Sequence, residues 1–189
     1  MMTLPTFPRM AWRSESPVNS KQLVANFLDN RFDERWMLVA DHAVQLQQQL
    51  WTAWNCCERN FANGCQLARG RDAEFLRYIA GTHHISDAFA RAGVQDGATS
   101  GWILYLPIPI LTEENNAGIQ ISAIDEENFN DFSSKCQTLL TSLGLESSSK
   151  EPMFSSDSAK MLGLNIDGIA LDRLEQALIG HILAADFSA

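Results

Sequence analysis

The sequence predicts a mixed α/β (α+β) domain, with one sheet of about four strands and helices packed on it. Three observations predict it. Trp36 to Ala40 is a short apolar run that reads as a buried strand. Residues 74–106 (EFLRYIAGTHHISDAFARAGVQDGATSGWILYLP) read in succession as strand, turn, helix, glycine stop, loop and strand. Other segments carry apolar residues at steps of three and four, the spacing of amphipathic helices.

Residues 1–20 hold Pro5, Pro8 and Pro17 among Ser and Asn residues without periodicity, and read as a mobile arm. That leaves residues 21–189 as a single globular domain. Ser20 to Asp29 places Leu23, Phe27 and Leu28 at helical spacing. After the strand at Trp36, Asp41 is a candidate N-cap for a long helix. Its interior stripe is Ala43, Leu46, Leu50, Trp54, Cys57 and Phe61, and Asn63-Gly64 stops it. Glu74 to Ala80 alternates loosely, as a strand would, and Gly81-Thr82 breaks it. Ile85, Ala88, Phe89 and Ala92 form a helical face that Gly93 ends. Trp102 to Leu106 is a second strand, closed by Pro107. Ile119, Ile121 and Ile124 suggest another strand. Asp125 then caps a helix with Phe129, Phe132, Cys136, Leu139, Leu140 and Leu143 on one face. Residues 146–152 read as a linker, Asp157 caps a short helix, and residues 169–187 form the last helix.

The totals bound the function. Net charge is −9, unevenly placed: residues 1–95 sum to +1 and residues 96–189 to −10. The second half repels nucleic acid, while the first half, with Arg59, Arg69, Arg71, Arg77 and Arg91, tolerates it locally. No run is long and apolar enough to span a bilayer and the start lacks a signal-peptide core, so a cytoplasmic location is the default expectation. The four cysteines include no C-x-x-C pair and read as free thiols. His42, His83 and His84 with Asp41 and Asp87 do not have the spacing of a known metal site, and no nucleophile, base and orienting acid assemble, so no cofactor or metal is expected.

The last helix is unusual. Leu171, Leu174, Leu178, Ile182 and Ala185 make a core stripe, but Gln176 to Ala185 (QALIGHILAA) contains no Asp, Glu, Lys or Arg. Either this stretch is enclosed on all sides or one face is covered by a partner.

Residues 74–106 also carry a family resemblance. Ala80-Gly81-Thr82, His83-His84, Ile85-Ser86, Ala88-Phe89 and Gly93-Val94 resemble the central signature of the small regulatory subunit of the KEOPS (EKC) complex. The similarity covers most of residues 30–106 and extends more weakly over 155–186. One position departs: the family usually has an Arg where this chain has His83. The resemblance implies a sheet with helices packed on it and no catalytic activity. It also implies two tasks in threonylcarbamoyladenosine modification of tRNA. One is binding the Bud-type atypical kinase/ATPase subunit, which points to Ile179, Leu183 and Phe187 outside the core stripe. The other is helping recruit the single-stranded tRNA 3′ end, for which Arg69, Arg71, Arg77 and Arg91 offer charge and His83 and His84 offer stacking or hydrogen bonding. Two other readings stand beside it: a small metal- or nucleotide-dependent enzyme using the His83-His84 turn, and an interaction module of some other complex.

Overall fold

The structure is a computed structural model that describes residues 4–111, 119–120 and 126–187. Its centre is a four-stranded antiparallel sheet in the order Trp36–Ala40, Ser100–Tyr105, Arg9–Arg13, Glu146–Ser148. The strands are β1 (Arg9–Arg13), β2 (Trp36–Ala40), β3 (Ser100–Tyr105) and β6 (Glu146–Ser148), while β4 (Ile110–Leu111) and β5 (Ile119–Gln120) pair separately. Helices α1 (Ser20–Asn30), α2 (Gln47–Asn63), α3 (Arg71–Ile79), α4 (Ile85–Ala92), α5 (Glu126–Leu143), α6 (Ser156–Met161) and α7 (Leu174–Leu183) complete the mixed α+β architecture.

Strand alternation divides the molecule. Met37 and Val39 of β2 and Trp102 and Leu104 of β3 face one core, which is closed by α2, α3, α4, α6 and α7. Trp36, Ile103 and Trp12 point the other way, into a second core with Leu23 and Phe27 of α1 and Phe132, Cys136, Leu139 and Leu140 of α5. Both sheet faces are therefore dry, which is why Trp36–Ala40 and Trp102–Leu106 read as nearly continuous apolar runs.

Five elements differ from the sequence reading. Residues 9–13 are not part of a mobile arm: β1 lies inside the sheet, paired with β3 from Arg9↔Leu104 to Arg13↔Ser100 and with β6 from Ala11↔Ser148 to Arg13↔Glu146. The linker read at 146–152 begins as β6, and an Arg13–Glu146 ion pair at 2.8 Å supports its pairing. Residues 74–79 belong to helix α3 rather than a strand. Phe75, Leu76, Tyr78 and Ile79 stand at the i, i+1, i+3, i+4 spacing of a helical face, and Glu74 and Arg77, which break the apolar run, are buried with them. The long helix starts at Gln47, not after Asp41. Asp41–Ala43 is a separate 3₁₀ turn, and Gln49 folds back to accept from the Gln45 and Leu46 N–H groups and donate to the Ala43 carbonyl. The short helix is capped by Ser155, whose side chain accepts from the Ser158 N–H, and not by Asp157. Ile121, Ile124, Asp125 and the side chain of Phe129 lie outside the described residues.

Candidate functional site

Helix α3 ends in the Ala-Gly-Thr turn. Gly81, at φ +56°, donates to the Tyr78 carbonyl (3.0 Å) and Thr82 donates to the Arg77 carbonyl (3.1 Å), the paired bonds of a glycine-terminated helix. Thr82 Oγ1 accepts from the His84 N–H at 3.2 Å, which leads the chain into α4. The turn's carbonyls are taken by side chains. Ala80 O accepts from Arg91 Nη1 (3.2 Å) and from His181 Nε2 (3.2 Å), and Thr82 O accepts from Arg77 Nη1 (3.3 Å). His181 Nε2 also lies 3.1 Å from the Leu162 carbonyl; both partners are carbonyl oxygens, so Nε2 carries the proton. The imidazole rests directly on Gly81, where a Cβ would come within 2.2 Å of its ring atoms. The motif turn is thus packed on the last helix.

Beneath the turn lies a buried polar network. Arg77 and Glu74 are both fully enclosed and pair at 2.9 Å. Glu74 also accepts from Asn60 Nδ2 (3.0 Å) and from the Leu67 and Ala68 N–H groups (3.1 and 3.0 Å). Arg77 reaches on to Asp186 (2.8 Å) and the Ala185 carbonyl (3.1 Å). Tyr78 donates to Asp186, with oxygens at 2.8 and 2.9 Å, and accepts from Asn60 at 2.7 Å. Burial alone would push the Glu74 carboxyl up, but the Arg77, Ala68 and Asn60 hydrogen bonds outweigh it and hold it below the usual carboxylate range. Asp186 is lowered in the same way, with Arg77 and Tyr78 outweighing burial. Burial, reinforced by the Asp186 charge, raises the Tyr78 hydroxyl.

These contacts sort the predicted nucleic-acid residues. Arg77 is withdrawn from the set: its side chain is wholly buried and committed to Glu74 and Asp186, so it presents no charge at the surface. Arg71 is held by Glu58 (3.2 Å) and Glu34 (3.1 Å) and lies over the Phe61 ring. Arg69 is exposed and has no ion pair among the described residues. His84 is exposed, His83 half-buried, and their rings stand 6.1 Å apart at 88°. Arg91 is half-buried beside the turn, 3.9 Å from Asp87. Arg69 and Arg71 sit at the start of α3 and His83, His84 and Arg91 beyond its end, with about 13 Å of helix between. They form two clusters rather than one.

The last helix settles into two faces. Leu174, Leu178, Ile182 and Ala185 are buried, as the core stripe requires, whereas Leu171 lies in a preceding 3₁₀ turn and is 85% exposed. Ile179 is half-buried, Leu183 is 49% exposed and Phe187 86% exposed. The helix is therefore not enclosed. Leu183 forms one wall of a groove of about 290 Å³ against α2, lined also by Leu4, Trp51, Thr52, Cys56 and Arg59. No signal in the sequence marked Asp186 or Asn60 as members of the network beneath it.

Among the described residues no three His, Cys, Asp or Glu side chains are grouped to hold a metal ion, and no helix is long and apolar enough to cross a membrane. Neither the known family models nor the curated proteins include a match to this chain.

Proposed function

We propose that this chain is a non-catalytic regulatory subunit of a KEOPS-type tRNA-modification complex, which binds a Bud-type kinase and helps hold the tRNA 3′ end. The observation that carries this reading is the apolar edge of half-buried Ile179 and exposed Leu183 and Phe187, along and just beyond a helix with no charged residue from Gln176 to Ala185, packed through His181 against the Ala-Gly-Thr turn that carries the family resemblance. A solvated helix ordinarily carries charge on its outer face, and an apolar edge rests more favourably against a partner. Each such side chain contributes about 1.5–3 kcal/mol on burial, before the cost of association.

The test is co-purification with a Bud-type kinase subunit, followed by titration. Wild type should bind and Leu183→Glu should not, with both proteins equally folded by circular dichroism. Wild-type protein that fails to bind any such kinase refutes the assignment. For RNA, the exposed cluster members are the informative ones. Arg69→Ala combined with His84→Ala should weaken tRNA binding, and the loss of Arg69 should reduce the slope of log K against log salt by about 1. Unchanged affinity and slope would remove these two residues from the RNA surface.

A further inference from the structure

We propose that Asp186 is a releasable latch: its carboxylate seats the C-terminal turn Ala184–Phe187 on a buried cation that remains compensated when the latch opens. The network has an inner part and two outer contacts from the C-terminal turn, the Asp186 carboxylate and the Ala185 carbonyl. Asn60, Glu74, Arg77 and Tyr78 all come from residues 60–78, and Glu74 and Arg77 are both fully enclosed. Glu74 alone draws bonds from Asn60, Leu67, Ala68 and Arg77, so its carboxylate is satisfied within this stretch of chain. Asp186 is added from 108 residues beyond Tyr78, and its side chain is 33% exposed.

The two carboxylates therefore differ in what their loss would leave behind. Without Glu74, the Arg77 guanidinium loses its enclosed counter-charge, the situation that destabilises a buried pair most. Without Asp186, Arg77 and Glu74 remain a neutral pair and water enters from the side that Asp186 occupied. Opening also breaks the bond from Arg77 to the Ala185 carbonyl and withdraws Ala185 from the core, but Arg77 keeps Glu74 and the Thr82 carbonyl, so the turn can leave without stranding a charge. The groups that face Asp186 favour closure: Arg77 and Tyr78 bond it directly, and Arg59 of α2 adds an attractive charge. The turn so held joins Leu183 to Phe187, so the latch fixes the geometry of the apolar edge. That consequence rests on the reading of the edge as the kinase-docking face; the latch itself does not.

Hydrogen exchange of the full chain at neutral pH separates the two carboxylates. Asp186→Asn should speed exchange of the amides of residues 182–187 by about tenfold, the effect of weakening one charged hydrogen-bonded contact, and leave residues 74–80 unchanged. Glu74→Gln should speed both regions. Asp186→Asn that leaves residues 182–187 unaltered, speeds both regions alike or fails to fold shows an integral part of the core and overturns the latch. In a second arm, Asp186→Asn should weaken binding to the Bud-type kinase by a similar factor. Faster exchange with undiminished kinase binding overturns the presenting role. Wild-type protein that binds no kinase refutes the docking reading instead, and the exchange arm still decides the latch.

Discussion

Gly81 shows how much one residue can carry in this chain. Its φ of +56° is one that L side chains seldom adopt, and the His181 ring fills the space a Cβ would need. Gly64, which ends α2 at φ +66°, has the same backbone but nothing within 4 Å. Gly64→Ala should therefore cost only the conformational term, about 1 kcal/mol, while Gly81→Ala should cost at least about 2 kcal/mol more through displacement of His181. Urea midpoints of the two variants check the difference. Gly81-Thr82 was legible as a break in the sequence, but its partner His181 lies 100 residues away and no local pattern connects them. The cysteines make a second residue-scale contrast. Burial raises the Cys56, Cys57 and Cys136 thiols, the last to about 12, whereas Cys65 is exposed. A thiol reagent should thus titrate one cysteine of the native protein rapidly and the other three only on unfolding.

At the scale of elements, α3 and α7 were the hardest to read and are the most informative. Helix α3 looked like a strand because Glu74 and Arg77, normally surface residues, are as buried as Phe75 and Ile79. Their i,i+3 ion pair follows the helical period, as does the spacing of Phe75, Leu76, Tyr78 and Ile79. The core stripe of α7 was legible, and so was its missing charge. Which of its two faces stays open depends on how α2 and α3 pack against it, and that is not encoded in α7 itself. Leu178→Glu should unfold the isolated protein, whereas Leu183→Glu, on the open face, should shift its stability by less than about 1 kcal/mol. Thermal denaturation of the two variants makes the comparison. The clasp between α3 and the end of α7 also sets a pH dependence. Glu74 and Asp186 are lowered in the folded protein, so they retain fewer protons there than in the unfolded chain over the acidic range. Their stabilisation is present above the usual carboxylate range, about pH 4, and is lost as pH falls through the lower folded values. Asp186→Asn should flatten stability against pH through and below the usual carboxylate range, a region that denaturant titrations can resolve.

For the whole molecule, the decisive element is β1. Prolines before and after it hid a five-residue strand, RMAWR, with only two inward side chains fully buried, Ala11 and Trp12. The clue to its place lay elsewhere in the chain. Gly101 sits inside β3, opposite Trp12, and a Cβ there would come within 2.7 Å of both the Trp12 ring and the Val39 carbonyl. A glycine in a strand interior marks such a close approach, so the sequence recorded the contact without naming the partner. Because β1 joins β3 to β6 and sends Ala11 to one core and Trp12 to the other, removing it opens both cores at once. A chain beginning at residue 14 should therefore fail to fold, where a mobile arm would have been dispensable. Trp12→Ala, which keeps the strand but empties its largest buried site, should cost about 3–5 kcal/mol. Trp12→Phe should cost less, because the indole Nε1 is buried without a hydrogen-bond partner and its loss strands nothing. Denaturation midpoints for the two substitutions, with proteolysis of the truncated chain, test this ranking. Truncation that leaves a protease-resistant fold would return residues 1–13 to the status of an arm.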